Sequence, residues 1–486
     1  MKDPVFSQAF ALYPALLALI AALGLVALTA WKPAIGLAMY AFSISLTTGL
    51  GRGTLIPVLR LNEAILLVVV SGLVLHYLPH RKRRPVTDLD LSVGAYTVGV
   101  VVITFLVLIV SRSPHLFDPD TLRVALSPLQ FLLIYVVYSR VELNSRAVQA
   151  LLNLTMLASI FVGLLAVAEL ADIAGIRAFV ATYYPPPVNF SGTFDPGYRP
   201  ISTLGHYSAV GAFAAVNYML ALTLSTMRHP AFPRLWLGAV MVANLAGLVA
   251  SLTWAPLLAL PLVTALVLWY GRHVPRQLSL TVAALAVAIV LLWPAVSGRG
   301  VAQGVLSSSG QNLVIPESFA YRVRVWEAFF VPALQDNLLL GTGTVIPSEV
   351  PTRLINFVDN EYLHEGFRAG IVGIILLLVM LVTVAIAGWR SRASPDPLRR
   401  SLGAACLALV LFFAVVGLTA EYMFFAGVSQ EFAMLLGLLS AAIVAEEAGV
   451  TSRAKPKALG RQELQPPAWH VPAESQTARP RPSSQT

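Results

Sequence analysis

The stretch FVDNEYLHEGFRAGIVGIILLL, residues 357–378, sets three carboxylates, an amide, a tyrosine, a histidine and an arginine against the mouth of an apolar run. Two kinds of chemistry suit these residue types. Acidic and amide side chains at a helix start satisfy its free N–H groups and its dipole, a local use for Asp359, Asn360 and Glu361. A carboxylate or a histidine can also take a proton from a reacting hydroxyl, which would give Asp359 or His364 a catalytic role. The second chemical feature is arginine. No lysine occurs between Lys82 and Lys455, so Arg177, Arg199, Arg299, Arg322, Arg324 and Arg353, all in or beside long connections, present only guanidinium. That planar donor grips phosphate or carboxylate bidentately. A genomic preference for arginine accounts for the missing lysines but not for where the arginines sit.

The segment 316–337 reads as an amphipathic helix with Arg322, Trp326, Phe329 and Phe330 near one face. Trp326 and the two Phe suit an interfacial anchor. Arg322, one turn earlier, would then lie at headgroup depth, where a lipid-linked phosphate lies. In LLLGTGTVIP, Gly341 and Gly343 permit a tight turn with exposed backbone N–H groups.

These residues need a membrane scaffold. Of 486 residues, 57% are hydrophobic and 12% charged, against roughly 25% charged in soluble domains, and the mean hydropathy is +0.75. Apolar runs long enough to span a bilayer recur at 9–30, 33–50, 61–79, 91–110, 119–138, 148–170, 207–226, 234–251, 253–270, 278–296, 367–388, 402–420 and 427–445. The expectation is an all-α, polytopic membrane protein with about 13 transmembrane helices, 12–14 by the ambiguity at WKPA and SLTWAP. Short cytoplasmic loops carry the arginine and lysine excess. RKRRP (81–85), RHPAFPR (228–234), GRHVPR (271–276), WRSRASPDPLRR (389–400) and the C-terminus therefore share the cytoplasmic side. The long connections 171–206 and 297–366, with short amphipathic helices, fall on the extracytoplasmic face. The net charge of +9 is thus mostly cytoplasmic and calls for no nucleic acid. Residues 1–445 form the membrane domain, and 446–486, rich in Pro, Ser, Gln and Ala, read as a disordered cytoplasmic tail. Cys406, the lone cysteine, sits inside a span as packing.

YRPISTLGHYSAVGAFAA, YRVRVWEAFF, LLLGTGT and DNEYLHEGFRAGIVGIILLL, in that order and beside those spans, resemble the signatures of the O-antigen ligase and O-antigen polymerase family, and LRLNEAILLVV fits near its start. The resemblance covers about 60–445. It implies a bacterial inner-membrane glycosyltransferase acting at the extracytoplasmic face. The donor would be an undecaprenyl-pyrophosphate-linked glycan, the acceptor a second glycan, and other polysaccharide-assembly proteins would be partners. Residue by residue, Arg199 opens the first motif, with Gly205 and His206 in its small and polar positions. Arg322 precedes the tryptophan, Trp326, by one turn. Asn360, Tyr362, Leu363, Gly370 and Gly373 match the last motif. Three departures stand out: Asp359 where ligases carry histidine, Arg368 where the family often has an acid, and SLTW where it tends to carry Ser-Arg. Asp359 leans the reading toward a polymerase.

A sugar hydroxyl attacking an anomeric carbon whose leaving group is a polyprenyl diphosphate needs preorganised cations for the leaving charge and a base for the hydroxyl. Arg199 and Arg322, with Arg324 and Arg368 in reserve, are expected on the pyrophosphate. Asp359, then His364, is expected as the base, and His206, Trp326, Asn360, Glu361 and Tyr362 on the glycan. A single displacement inverts the anomeric centre, and with no DxD on the outer face the sequence asks for no metal and no cofactor. Other uses stay open: Tyr362 as an aromatic-belt residue, Arg368 as a snorkelling headgroup contact, and His206 as a local hydrogen-bonder. A ligase is the alternative enzyme. A transporter or flippase is the alternative class, disfavoured because charges such as Glu63, Arg123, Glu169 and Glu421 fall toward span ends.

Overall fold

A computed structural model describes residues 4–51, 59–78, 84–184, 198–272, 276–302, 317–343 and 358–454. Among them there is no strand, and the chain is an all-α, multi-pass membrane protein. All thirteen apolar runs lie on helices, and among the described residues eight helices are long and apolar enough to span, or nine if one bent pair counts as a span. The eight include α4 (Asp88–Val110), α5 (Pro119–Arg140), α6 (Ser145–Leu170), α8 (Tyr207–Thr226) and α10 (Trp254–Gly271). They also include α15 (Glu361–Arg390), α16 (Pro397–Val416) and α17 (Ala426–Ala454). The bent pair is α11 (Arg276–Leu291) with α12 (Trp293–Ala302), turning by 73°.

Length sets three of the other helices apart, whereas α1 (Pro4–Trp31), at 28 residues, is long enough to cross. Helices α2 (Pro33–Thr47), α3 (Leu61–Tyr77) and α9 (Arg234–Ala250) have 15, 17 and 17 residues. At about 1.5 Å per residue these rise roughly 22–26 Å, short of a ~30 Å hydrocarbon core. A polar knot sits where α2 ends, with Asn62 Nδ2 donating to Gln430 Oε1 at 3.1 Å and to Thr48 Oγ1 at 3.3 Å. The expected tail lies largely outside the described residues, α17 running on to Ala454.

Helix α8 forms the centre, its span wholly buried, with α6, α9, α10 and α16 around it. Alanine and glycine on α8 and α9 permit this close approach; a Cβ on Gly247 would lie 2.6 Å from Gly163 of α6. Cys406 is buried in α16.

Helix α15 breaks nine residues in. Ala369 (φ −143°) and Gly370 (φ 63°) leave helical geometry. Leu338 O accepts from Ile371 N at 2.8 Å, and Phe367 O accepts from Thr342 N at 2.8 Å. The GTG turn thus docks its backbone into the break. Gly341 is required there, because a Cβ would lie 2.6 Å from two carbonyl oxygens of α15. Two N–H groups of the expected cradle are engaged, Gly341 N donating to Asn337 O and Thr342 N to Phe367 O, and the residues from 344 on lie outside the described ones.

Candidate functional site

Four segments meet at one end of the bundle: 198–206 before α8, α13 (Glu317–Val325), 358–365, and the turn 417–425 between α16 and α17. Each is pinned by its own sequence. Glu169, fully buried at the end of α6, accepts from Tyr198 OH at 2.6 Å, Ile201 N at 3.0 Å and Ser202 N at 2.7 Å. That one carboxylate fixes the YRPIS segment. Arg199 then lies with its guanidinium 3.3 Å from the Tyr207 ring centroid and donates to Thr253 Oγ1 at 3.1 Å. Arg177, on the short helix α7 (Ile176–Tyr183), is engaged elsewhere, its Nε donating to Glu169 O at 2.9 Å near the end of α6.

The amphipathic helix forms as α13, a π-turn (Trp326–Phe330) and α14 (Val331–Gln335). Phe330, Val325 and Leu334 bury against Val358 and Phe367 in a small core of their own. Trp326 Nε1 donates to Val358 O at 2.7 Å. The tryptophan thus anchors the start of the DNEYLHE segment beside α13. Arg322, one turn earlier, meets Asp359 there, Nε to Oδ2 at 3.0 Å. Arg324 is two residues on, roughly 200° around the helix, and exposed.

Asp359 has φ 54°, a left-handed conformation uncommon outside glycine. This turn aims its N–H at Glu421 Oε1, 2.9 Å away. Asn360 is the N-cap of α15, its Oδ1 accepting from Tyr362 N and Leu363 N, both at 3.0 Å. Glu361 Oε2 accepts from Met423 N at 3.0 Å, and Tyr362 OH donates to Ala414 O at 2.9 Å. Of the residues expected on the glycan, Glu361, and Asn360 through Nδ2 donating to Leu418 O at 3.4 Å, thus tie α15 to the turn that carries Glu421, and Tyr362 ties it to α16. His364 Nδ1 lies 4.0 Å from Glu421 Oε1, with its ring against Phe424.

Glu421 and Tyr422 are the functional candidates that sequence reasoning missed. The signal available was a lone acid in VVGLTAEYMFFAGV, between two apolar spans. Burial, then the charge of Asp359, pushes the Glu421 carboxyl up to about 7. Burial also pushes the Tyr422 hydroxyl up, against the pull of Arg322 and Arg199. His206 is pushed down to about 3 by burial, Arg199 and Arg322, so its ring is neutral. Its Nδ1 accepts from Ser208 N at 3.1 Å, which assigns the ring proton to Nε2. The ring stacks on Phe425 at 4.7 Å. Arg199, Arg322, His206, Asp359, Glu421 and Tyr422 therefore share one electrostatic neighbourhood.

Arg368 stands apart. Its guanidinium is buried and donates to Glu365 Oε1 at 3.0 Å, and to Val124 O and Ser127 Oγ at 2.7 Å each. Tyr96 OH adds a bond to Glu365 at 3.1 Å. This is an internal ion pair beside the helix break, neither a snorkelling headgroup contact nor an open phosphate ligand.

One expectation about the interior needs correction. Glu431, inside α17, is buried and accepts from Asn217 Nδ2 of α8 at 2.9 Å, so a span interior does carry an ionisable group. Among the described residues no group of three or more His, Cys, Asp or Glu is arranged to hold a metal ion. Compared with known proteins, the chain matches no family profile and no curated protein.

Proposed function

We propose that the protein is a membrane glycosyltransferase that polymerises undecaprenyl-pyrophosphate-linked oligosaccharide units at the extracytoplasmic face of a bacterial inner membrane. The observation that carries this reading is the convergence of Arg322, Asp359 and Glu421 at one end of the bundle, with Arg199 and His206 in the same field. Two arginines suit a diphosphate, and a carboxylate poised near neutrality suits a base working at physiological pH.

In this mechanism the acceptor hydroxyl gives its proton to Glu421 while its oxygen bonds to the anomeric carbon. The bond from that carbon to the pyrophosphate breaks, and its electron pair leaves on the phosphate oxygen. Arg322 and Arg199 hold the developing charge; losing one such donor costs about 2.7–4 kcal/mol. Asp359 orients Arg322 and raises the basicity of Glu421. His206 offers Nε2–H to a sugar oxygen. The displacement is single, so the anomeric centre inverts.

Gel analysis of surface glycans from a strain lacking the gene tests the reading. A polymerase deletion leaves single-repeat caps, restored to long chains by the wild-type gene. A complete absence of caps, with lipid-linked units accumulating on the outer leaflet, indicates the ligase alternative. The buried Glu431–Asn217 contact favours a second reading, a flippase, because an ionisable group inside a span is the hallmark of ion-coupled transport. That reading predicts lipid-linked units trapped on the cytoplasmic leaflet of the deletion strain.

A further inference from the structure

The end of the bundle opposite the Asp359 cluster holds a cleft of about 1000 Å³ between the ends of α8, α10 and α15 and the start of α16. Arg228, Arg272, Arg390, Arg392 and Arg400 line it, with Tyr270 and Trp389, and none of the described residues lining it is acidic. Five guanidinium groups in one cleft repel one another, and a negative charge bound among them relieves that repulsion.

Two of these arginines, Arg392 and Arg400, are held by neutral groups. Arg400 donates to Ser394 O at 3.0 Å, a neutral carbonyl. Arg392 sits 5.2–5.7 Å from the ring centroids of Trp389, Tyr270 and Trp269, and donates to Trp269 O at 3.4 Å. Trp269 and Trp389 stack at 5.2 Å and remain exposed, at 61% and 42%. Exposed tryptophans at a span end mark the headgroup level of a bilayer. Asp396, in the same loop, is engaged as the N-cap of α16, its Oδ1 accepting from Leu398 N at 3.0 Å.

We propose that this cleft binds a phosphate-bearing anion at headgroup depth, on the side where the positive-inside rule places the cytoplasm. The chemistry is guanidinium to phosphate, with the indoles flanking the ligand. An anionic phospholipid and free phosphate share that chemistry, and the two sources separate by experiment.

The full-length protein is purified in detergent, and bound mass by native mass spectrometry and melting temperature are recorded with cardiolipin, with phosphatidylcholine and with inorganic phosphate. Cardiolipin is expected to bind and to raise the melting temperature. Each arginine removed is expected to weaken binding about 5-fold, and Arg272→Gln with Arg392→Gln about 25-fold. Arg272→Gln alone, at an exposed position, tests the same loss where folding is not at risk. Lys32→Gln with Arg146→Gln, two exposed cations away from the cleft, is expected to change binding less than 3-fold. Inorganic phosphate reproducing the effect, with the same sensitivity to Arg272→Gln, supports the site with a soluble ligand. Equal binding of phosphatidylcholine, or an equal loss in the Lys32 and Arg146 control, overturns it.

Discussion

Two arginine–carboxylate pairs are anchored within the one segment DNEYLHEGFR, and the distances within them are the same. Arg322 meets Asp359 at 3.0 Å, and Arg368 meets Glu365 at 3.0 Å. What separates them is water. The side chains of the first pair are 27% and 33% exposed, those of the second 5% and 1%. Exposed ion pairs contribute about 0–1 kcal/mol to stability, because solvent screens the attraction and two side chains are immobilised. A buried pair is different in kind: its attraction offsets desolvation, and removing one partner strands a charge at a cost of about 3–5 kcal/mol. In the proposed mechanism the open pair exchanges its partner for a substrate phosphate. The closed pair holds α15 against α4 and α5 beside its break.

That contrast predicts opposite failures. The largest effect belongs to the closed pair. Arg368→Ala should lower unfolding stability by about 3–5 kcal/mol and the membrane yield with it, read by melting in detergent. Replacing both partners, with Glu365→Leu added to Arg368→Leu, should recover part of the loss, since no charge is then left buried. Full stability in Arg368→Ala would erase the distinction between the pairs.

Glu421→Gln comes next and acts on the other quantity. It keeps the oxygen that accepts from Asp359 N but removes the basicity, so the rate of chain extension per folded molecule should fall by roughly 10²–10⁴-fold with melting nearly unchanged. Arg322→Lys should lose about 10- to 100-fold, because an ammonium cannot reproduce the paired donors of guanidinium on a diphosphate. Wild-type polymer levels at equal expression would remove Arg322 from the mechanism.

The same contrast explains what was legible in the sequence. Arg199, His206, Arg322 and Asp359 could be nominated because each lies in a polar stretch that interrupts an apolar pattern, and the fold brings them into one field. Asn360, Glu361 and Tyr362 look the same in sequence but turn inward, since whether a polar side chain faces a substrate or a neighbouring turn depends on tertiary contact. Glu421 escaped because nothing in a nine-residue turn between two spans tells which way its one acid faces. The break at Gly370 escaped because apolar residues continue past it without change, and only the docked GTG turn reveals it. Hydropathy located the long apolar helices but not the depth each reaches, hence the shorter α2, α3 and α9.

The claim that the open pair poises Glu421 as the base meets its most direct test in the pH dependence of kcat/KM for purified, reconstituted protein. A base works when ionised, so activity should rise with pH and level off above the pKa of Glu421. Burial and Asp359 raise that pKa, which places the acid limb near 7, far above the ordinary glutamate value of about 4.3. Asp359→Asn removes one of the two causes and should move the limb to lower pH while lowering the plateau. An acid limb near 4.3 in the wild type, or a limb near 7 that Asp359→Asn leaves in place, would contradict the account.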